Sequence, residues 1–397
     1  MEIENLLSPE VLDFIKQHKT ADPKKVALQA HRKFDFPVGF LVDQISGWQK
    51  AKKKLPYLIE NEGVLFPPDL NMQQCSSEQT ASYKASLLSY QSVLDLTGGF
   101  GVDTYFFAKQ AKKAVHVERD TWLSSLVKHN FSMLGISNTA FYNGIAEDFL
   151  DSNTEVFDLI YIDPARRDEQ GGKVFKFADC EPNVVNLKTQ LFSMSEKILV
   201  KASPMIDITQ GIRELENVSK VWIISSKNEC KEVLFWVVKG FEGDAEITAT
   251  EIGNEKTIEV KQQAAPTFSF SEPLKYLYDP ITSIHKVGNY HLFLNRHCEP
   301  NGDFLFKLAA NTHLFTSEEL IEDFPGRVFE IEAVLPYNKK EIKKHLIEQK
   351  ANVFTRNFCD SPDQLKKKLG LKDGGEKFVI GFSDLYGTQV ILVCGLK

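Results

Sequence analysis

The chain has 397 residues, 43% of them apolar, and a formal net charge of −7. That length is enough for about two to four domains, and the acidic balance excludes a protein that holds nucleic acid through its overall charge. Six cysteines, at 75, 180, 230, 298, 359 and 394, form no C-x-x-C pair. This argues against a zinc site or disulfide framework and for reduced thiols in the cytoplasm. The acidic start Met1-Glu2-Ile3-Glu4-Asn5 has no signal-peptide pattern. No apolar run approaches about 18 residues, so no membrane span is expected.

Residues 1–88 read as a helical N-terminal domain. Ser8-Pro9-Glu10 is a helix start, with serine as cap and proline at the first helical position. Lys50-Ala51-Lys52-Lys53-Lys54 is either a solvated helix face or a phosphate contact. Gln74-Cys75-Ser76-Ser77-Glu78-Gln79-Thr80-Ala81 opens another helix, in which Ser77 and Thr80 suit capping better than catalysis.

Residues 89–241 alternate between strand and helix, the pattern of a parallel sheet. Strands are expected at 92–97, 113–119, 139–145, 157–163 and 196–203, with helices at 102–112 and 120–134. The apolar runs 220–225 and 233–238 are joined by too few residues for a crossover helix, so they should pair antiparallel. Residues 242–275 read as an extension and linker, with β-like stretches at 245–252 and 256–261. Residues 276–324 read as a small α+β segment of ferredoxin-like type, and 325–397 as a small α/β sandwich. In the latter, strands fall at 328–334, 351–355, 377–382 and 389–394, and helices at 338–350 and 361–370.

Chemistry concentrates at three strand ends. The first is Ser92-Val93-Leu94-Asp95-Leu96-Thr97-Gly98-Gly99-Phe100-Gly101, a strand running into a glycine turn and a helix N-terminus. Glycine tolerates positive φ and lets a ligand lie directly on the backbone. The second is Val115-His116-Val117-Glu118, ending in an acid, and the third is Ile160-Tyr161-Ile162-Asp163-Pro164-Ala165-Arg166-Arg167. A dinucleotide fingerprint starting at Gly99 lacks its third glycine, since Thr104 stands there. A purely structural glycine turn is the other alternative. The histidines at 285, 291 and 297 fit no short zinc spacing, and no metal is expected.

These three strand ends resemble the class I S-adenosylmethionine-dependent methyltransferases, whose Rossmann-like sheet has five parallel strands closed by an antiparallel hairpin. Further matches are Gln74-Cys75-Ser76-Ser77-Glu78 and Lys201-Ala202-Ser203-Pro204-Met205. In the tail they are Tyr276-Leu277-Tyr278-Asp279-Pro280, Pro325-Gly326-Arg327 and Thr355-Arg356-Asn357-Phe358. Together they are similar to a bacterial group of such enzymes with a C-terminal THUMP-like domain. The resemblance implies S-adenosylmethionine as cofactor, with Asp95, Thr97, Gly98, Gly99 and Gly101 cradling its methionine end. Glu118 would take the ribose hydroxyls, and Ala146 and Glu147 would line the adenine slot. The family often has an acid where Ile145 stands, so Glu147 or Asp148 is left for the adenine amine.

Asp163 and Pro164 stand where amino-methylating nucleic-acid enzymes carry Asp/Asn-Pro-Pro-aromatic, which implies a catalytic role in holding a target amine. Arg166 and Arg167 are candidate phosphate contacts or partners of nearby acids. Residues 168–181 are long enough for a lid. Lys201, Glu229 and Lys231 are expected at the same sheet edge as substrate contacts.

THUMP domains elsewhere bind structured RNA, so the resemblance implies methylation of a base in tRNA or rRNA. The charge distribution agrees: from Pro325 onward 13 Lys and Arg face 9 Asp and Glu, which leaves −11 for the remainder. Lys339, Lys340, Lys343, Lys344 and Lys366 to Lys368, flanked by Arg327 and Arg356, are either clusters of the kind phosphate binding needs or solvated helix faces, since Glu341 and Glu348 intervene. The rival readings are a small-molecule or protein methyltransferase, and a non-catalytic RNA-binding module that retains the cofactor fold.

Overall fold

A computed structural model describes residues 8–30, 37–166, 176–253, 257–261, 268–294, 305–346 and 348–397. The chain divides into two compact units, Met1–Val221 with Glu232–Ala245, and Trp222–Lys231 with Glu246–Lys397.

The first unit begins with helices between Pro9 and Ser86. Ser8 caps the first by accepting from Val11 N at 3.4 Å. Ser77 and Thr80 form a capping box on Glu78–Ser86, as their spacing predicts. The basic run is partly used internally: Lys50 pairs with Asp69, and Lys54 donates to the carbonyls of Met72 and Gln73.

The alternating region forms strands β1 (Ser92–Asp95), β2 (Lys113–Glu118), β3 (Thr139–Asn143) and β4 (Leu159–Ile162). There follow the two-residue strands β5 (Ala165–Arg166) and β6 (Cys180–Glu181), paired only with each other. Then come β7 (Lys197–Ala202), β8 (Val218–Ser226) and β9 (Glu229–Val238). Spatial order is β3-β2-β1-β4-β7-β9-β8. The first five run parallel, and β9 enters antiparallel to β7, with Leu199 opposite Trp236. This is the expected five parallel strands plus hairpin. The hairpin turns at Lys227 and Asn228, both at positive φ, the backbone of a tight two-residue turn. Order reverses on either side of β1, so β1 and β4 separate at their C-terminal ends, where such sheets hold ligands. All four residues of β4 are buried, because helices cover both faces.

The stretch read as a linker extends this sheet: β10 (Glu246–Ile252) and β11 (Thr257–Lys261) pair antiparallel and continue outward from β8. Alternating apolar residues in these short runs, Ile247, Ala249 and Ile258, Val260, favour a half-buried strand over a free connector.

The second unit carries a seven-stranded sheet. Its strands are β12 (Tyr276–Pro280), β13 (Phe306–Lys307), β14 (Phe315–Ser317), β15 (Gly326–Pro336), β16 (Asn352–Arg356), β17 (Lys377–Ser383) and β18 (Gln389–Leu396). Their order is β13-β14-β12-β15-β18-β17-β16, antiparallel except for β16 with β17. Alternation along β17 and β18 divides the core. Val379, Ile391 and Val393 face helices Lys339–Lys344 and Pro362–Leu369, while Ile380, Phe382, Leu392 and Cys394 face the other side. The first of these helices is shorter than its sequence pattern, ending at Lys344.

Candidate active site

Asp95 ends β1 and is buried beneath the glycine turn. Its Oδ1 accepts from Thr97 N at 3.0 Å and its Oδ2 from Thr104 Oγ1 at 2.5 Å. Burial pushes this carboxyl up to about 7 despite both hydrogen bonds. Thr97 in turn accepts from Asp163 N at 2.6 Å, tying the end of β1 to the end of β4.

The three glycines differ in what they permit. A Cβ on Gly98 would lie 2.2 Å from His116 Nε2, and one on Gly101 would lie 2.5 Å from Val127 Cγ1. Gly101 also has φ +74 as the cap of the helix Val102–Gln110. Gly99, at φ +52, would meet only Thr97 O at 3.8 Å. Gly98 and Gly101 are therefore small because of what lies inside, whereas Gly99 keeps a cradle open that a side chain would fill. Burial pushes the His116 imidazole under this turn down to about 4, so it is neutral at pH 7.

Glu118 ends β2 and folds back on the turn. Its Oε2 accepts from Gly99 N at 2.9 Å and its Oε1 from Asp120 N at 2.8 Å. Each carboxylate oxygen retains capacity for a further donor, such as a hydroxyl. Asn143 Nδ2 and Gly144 N both donate to Glu118 O, at 2.9 and 3.0 Å, and so register the end of β3 against it. Beyond them Ile145 is 44% exposed, Ala146 is buried and Glu147 half-buried at the start of a helix. The open cradle, the acid beside it and an exposed apolar side chain on the third strand end fit S-adenosylmethionine.

Beside the cradle lies a buried polar cluster. Lys84 Nζ has no exposure and sits 2.9 Å from Asp103 Oδ1, 3.1 Å from Tyr161 OH, 3.3 Å from Ser76 Oγ and 3.2 Å from Glu232 Oε2. Ser76 Oγ and Tyr161 OH both donate to Asp103 Oδ2, at 2.9 and 2.8 Å. Lys201 Nζ lies 2.5 Å from Asp163 Oδ2 and 4.0 Å from Asp103 Oδ2. Burial drives Asp103 upward, but Lys84, Lys201 and the donors on it prevail and hold it at about 2. For Lys201, burial is outweighed by Asp163, Asp103 and Glu232, so its ammonium is held above the usual lysine range. Burial raises Glu232.

Of the residues singled out from sequence, Asp95, Thr97, Gly98, Gly99, Gly101, Glu118, Asp163 and Lys201 come together at this edge. Pro164 follows Asp163 and is buried. Arg166 is exposed in β5, and Arg167 with most of the segment 168–181 lies outside the described residues. Glu229 and Lys231 pair with each other at the hairpin end, which belongs to the second unit. Glu232, the next residue, is the one that reaches the cluster. Sequence patterns did not single out Lys84, Asp103 or Tyr161, and offered Glu232 only as the last residue of the segment 228–232 expected to contact substrate. Their signal was a charge inside an apolar pattern: Lys84 between buried Ala81 and Ala85, and Glu232 heading the run Val233–Val238. Among the described residues no group of three or more His, Cys, Asp or Glu could hold a metal, and no helix is long and apolar enough to cross a membrane.

Three family models match. Residues 79–219 match Conserved hypothetical protein 95, residues 276–325 a ferredoxin-like domain, and residues 326–396 a THUMP domain-like family. An inferred methyltransferase from Porphyromonas gingivalis W83 has a solved structure that is 27% identical, with TM-score 0.84, covering 100% of this chain and 99% of that one. An rRNA methylase from Streptococcus thermophilus is 16% identical, covering 41% of this chain and 94% of its own, at TM-score 0.30. An O-methyltransferase from Bacillus cereus in complex with S-adenosylhomocysteine is 15% identical, covering 48% and 91%, at TM-score 0.32. Those two likenesses are too slight to bear on this chain. No curated protein matches it. Its sheet order, its matched segments and its full-length structural relative are consistent with a class I methyltransferase that carries a C-terminal THUMP-like domain.

Proposed function

We propose that this chain transfers the methyl group of S-adenosylmethionine to an amine of a base in structured RNA, tRNA or rRNA, in the cytoplasm. The observation that carries this reading is the position of Asp163. Its backbone is tied to the glycine turn through Thr97, and its carboxylate is fixed by Lys201 at 2.5 Å. The cofactor supplies an activated methyl on a cationic sulfur. Gly99, Glu118 and the Ala146–Glu147 turn would hold it, and Asp95 would favour its ammonium through water, since both Asp95 oxygens already accept hydrogen bonds.

An exocyclic amine needs alignment and an acceptor for its proton, with no strong base beforehand. Asp163 Oδ1 and the backbone carbonyl at Asp163-Pro164 are suited to accept that amine's hydrogens. Lys201 keeps the carboxylate in one orientation. Together with the buried cluster behind it, Asp163 makes three carboxylates, with Asp103 and Glu232, against the ammoniums of Lys84 and Lys201. With all five ionised the surplus is one negative charge, which favours a cationic sulfur nearby. A base within a duplex would have to be extruded to reach this edge. Arg166, Arg167 and the tail would contact RNA phosphates, and we assign residues 89–241 to catalysis, 276–324 and 325–397 to substrate capture.

The test is methyl transfer from labelled cofactor into RNA isolated from a strain lacking this protein, followed by nucleoside analysis. A single methylated nucleoside is expected. Label in protein or small molecules and none in RNA would favour the rival enzyme readings. Cofactor binding without turnover would favour a binding module.

A further inference from the structure

Asp279, on β12 of the second unit, is completely buried, yet it is met by two arginines. Arg327 Nη2, from the residue directly opposite on β15, lies 2.6 Å from Asp279 Oδ2. Arg356, at the end of β16, places Nε and Nη2 at 3.2 and 3.0 Å from Oδ1. His285 Nε2 lies 3.0 Å from Oδ1. In a flat sheet β16 would stand four strand spacings of about 4.8 Å from β12. The sheet must therefore curl to bring these groups together, and Phe354 of β16 packs against Phe329 of β15 at 5.8 Å.

One arginine would suffice to neutralise the carboxylate and latch the curl. The second leaves a surplus cation, and both arginine side chains are partly exposed, at 33% and 28%. Both also lie over the Phe354 ring, at 4.5 and 5.5 Å from its centroid. Arg327 Nε is buried and has no hydrogen-bond partner among the described residues. Buried donors are normally satisfied, so an unmet one beside a half-open cation points to a missing acceptor. The surroundings are basic as well. Burial together with Lys307, His285 and Arg356 pushes His313 down to about 4. The tail lysines are different: Lys344, Lys366 and Lys368 are paired with Glu341, with Asp363 and Asp373, and with Asp360.

We propose that Arg327 and Arg356, braced on Asp279, form a phosphate-group site. Resting on the RNA reading above, its occupant is a backbone phosphate of the substrate RNA. Asp279 orients the two planar forks, and their remaining N–H groups grip one oxyanion. Three segments far apart in sequence, around 279, 327 and 356, thus build one site.

The test compares the full chain with Arg327→Lys and Arg356→Lys. Each keeps a cation on Asp279 and loses the fork. The paired variant Asp279→Asn with Arg356→Gln removes the ion pair without baring a carboxylate. Binding of a fluorescein-labelled tRNA transcript is followed by anisotropy across a salt series, with melting temperature and S-adenosylhomocysteine binding measured on the same samples. The expected result is a loss of RNA affinity of about tenfold or more and a shallower salt slope, with melting and cofactor binding kept in at least the lysine variants. Unchanged RNA affinity in all three variants overturns the site and leaves the RNA reading standing. A wild-type chain that binds no RNA overturns that reading. The site then stands if inorganic phosphate raises the wild-type melting temperature and not that of Arg327→Lys, and falls if phosphate leaves the wild type unmoved.

Discussion

Lys84 Nζ lies 2.9 Å from Asp103 Oδ1 with its whole side chain cut off from water. A buried ammonium is tolerated only where carboxylates and hydroxyls replace its hydration, and here Asp103, Glu232, Tyr161 and Ser76 do so. Lys84→Met keeps the length and removes the charge. Glu232 and Asp103 are then left buried with less compensation. The expected loss of stability is about 3–5 kcal/mol, read by denaturant unfolding. A loss under about 1 kcal/mol would mean that water reaches the cluster and the burial argument fails.

The glycine turn separates internal packing from ligand contact. Gly98→Ala drives a methyl into His116 and should lower stability and cofactor affinity together. The Cβ of Gly99→Val meets no atom nearer than Thr97 O at 3.8 Å, so its main cost to the fold is the backbone strain at φ +52, about 1–2 kcal/mol. Calorimetry should then show S-adenosylhomocysteine binding lost on a folded protein. Full affinity in Gly99→Val would remove that residue from the cradle.

Asp95 makes the fold sensitive to pH. Its carboxyl sits near 7 in the folded chain and near 3.8 when unfolded. Between those values the folded state binds a proton that the unfolded state does not. The Asp95 contribution to stability is therefore complete below about 3.8 and declines as pH rises toward 7. Unfolding measured from pH 5 to 8 in wild type and Asp95→Asn should diverge, with the wild type losing ground to the variant as pH increases. Parallel curves would show that Asp95 ionises freely.

Arg166→Ala tests the phosphate role of the segment after β4. The apparent RNA constant should rise by an amount on the order of one charged hydrogen bond, ~1.5–3 kcal/mol, with melting temperature kept. A fall in melting temperature with unchanged kinetics would make Arg166 a structural ion-pair member.

How far the sequence carried these conclusions depended on the signal. Glycine spacing at 98–101 and acids at strand ends 95, 118 and 163 are local features, so the sheet and its candidate ligand edge were legible in the chain alone. Strands β10 and β11 were legible as β-like, but not their continuation of the sheet beyond β8, because pairing partners are non-local. Lys84 was missed, and Glu232 was read as a substrate contact instead of its buried partner, because a buried charge looks like a surface charge until its partner is located. Lys84 lies 19 residues from Asp103 and 148 from Glu232 along the chain. Likewise Asp279, Arg327 and Arg356 were visible as separate motifs, and only the curl of the second sheet reveals their junction.

The most direct test of the central claim is methyl transfer to RNA by Asp163→Ala, measured beside S-adenosylhomocysteine affinity on the same preparation. Asp163 is assigned to the substrate amine and held by Thr97 and Lys201 at the mouth of the cradle. Turnover should fall at least about a hundredfold, the cost of a misaligned acceptor, while cofactor affinity changes far less. Wild-type turnover in Asp163→Ala, or an equal loss of cofactor binding and turnover, would contradict the assignment of this strand end to the methylated amine.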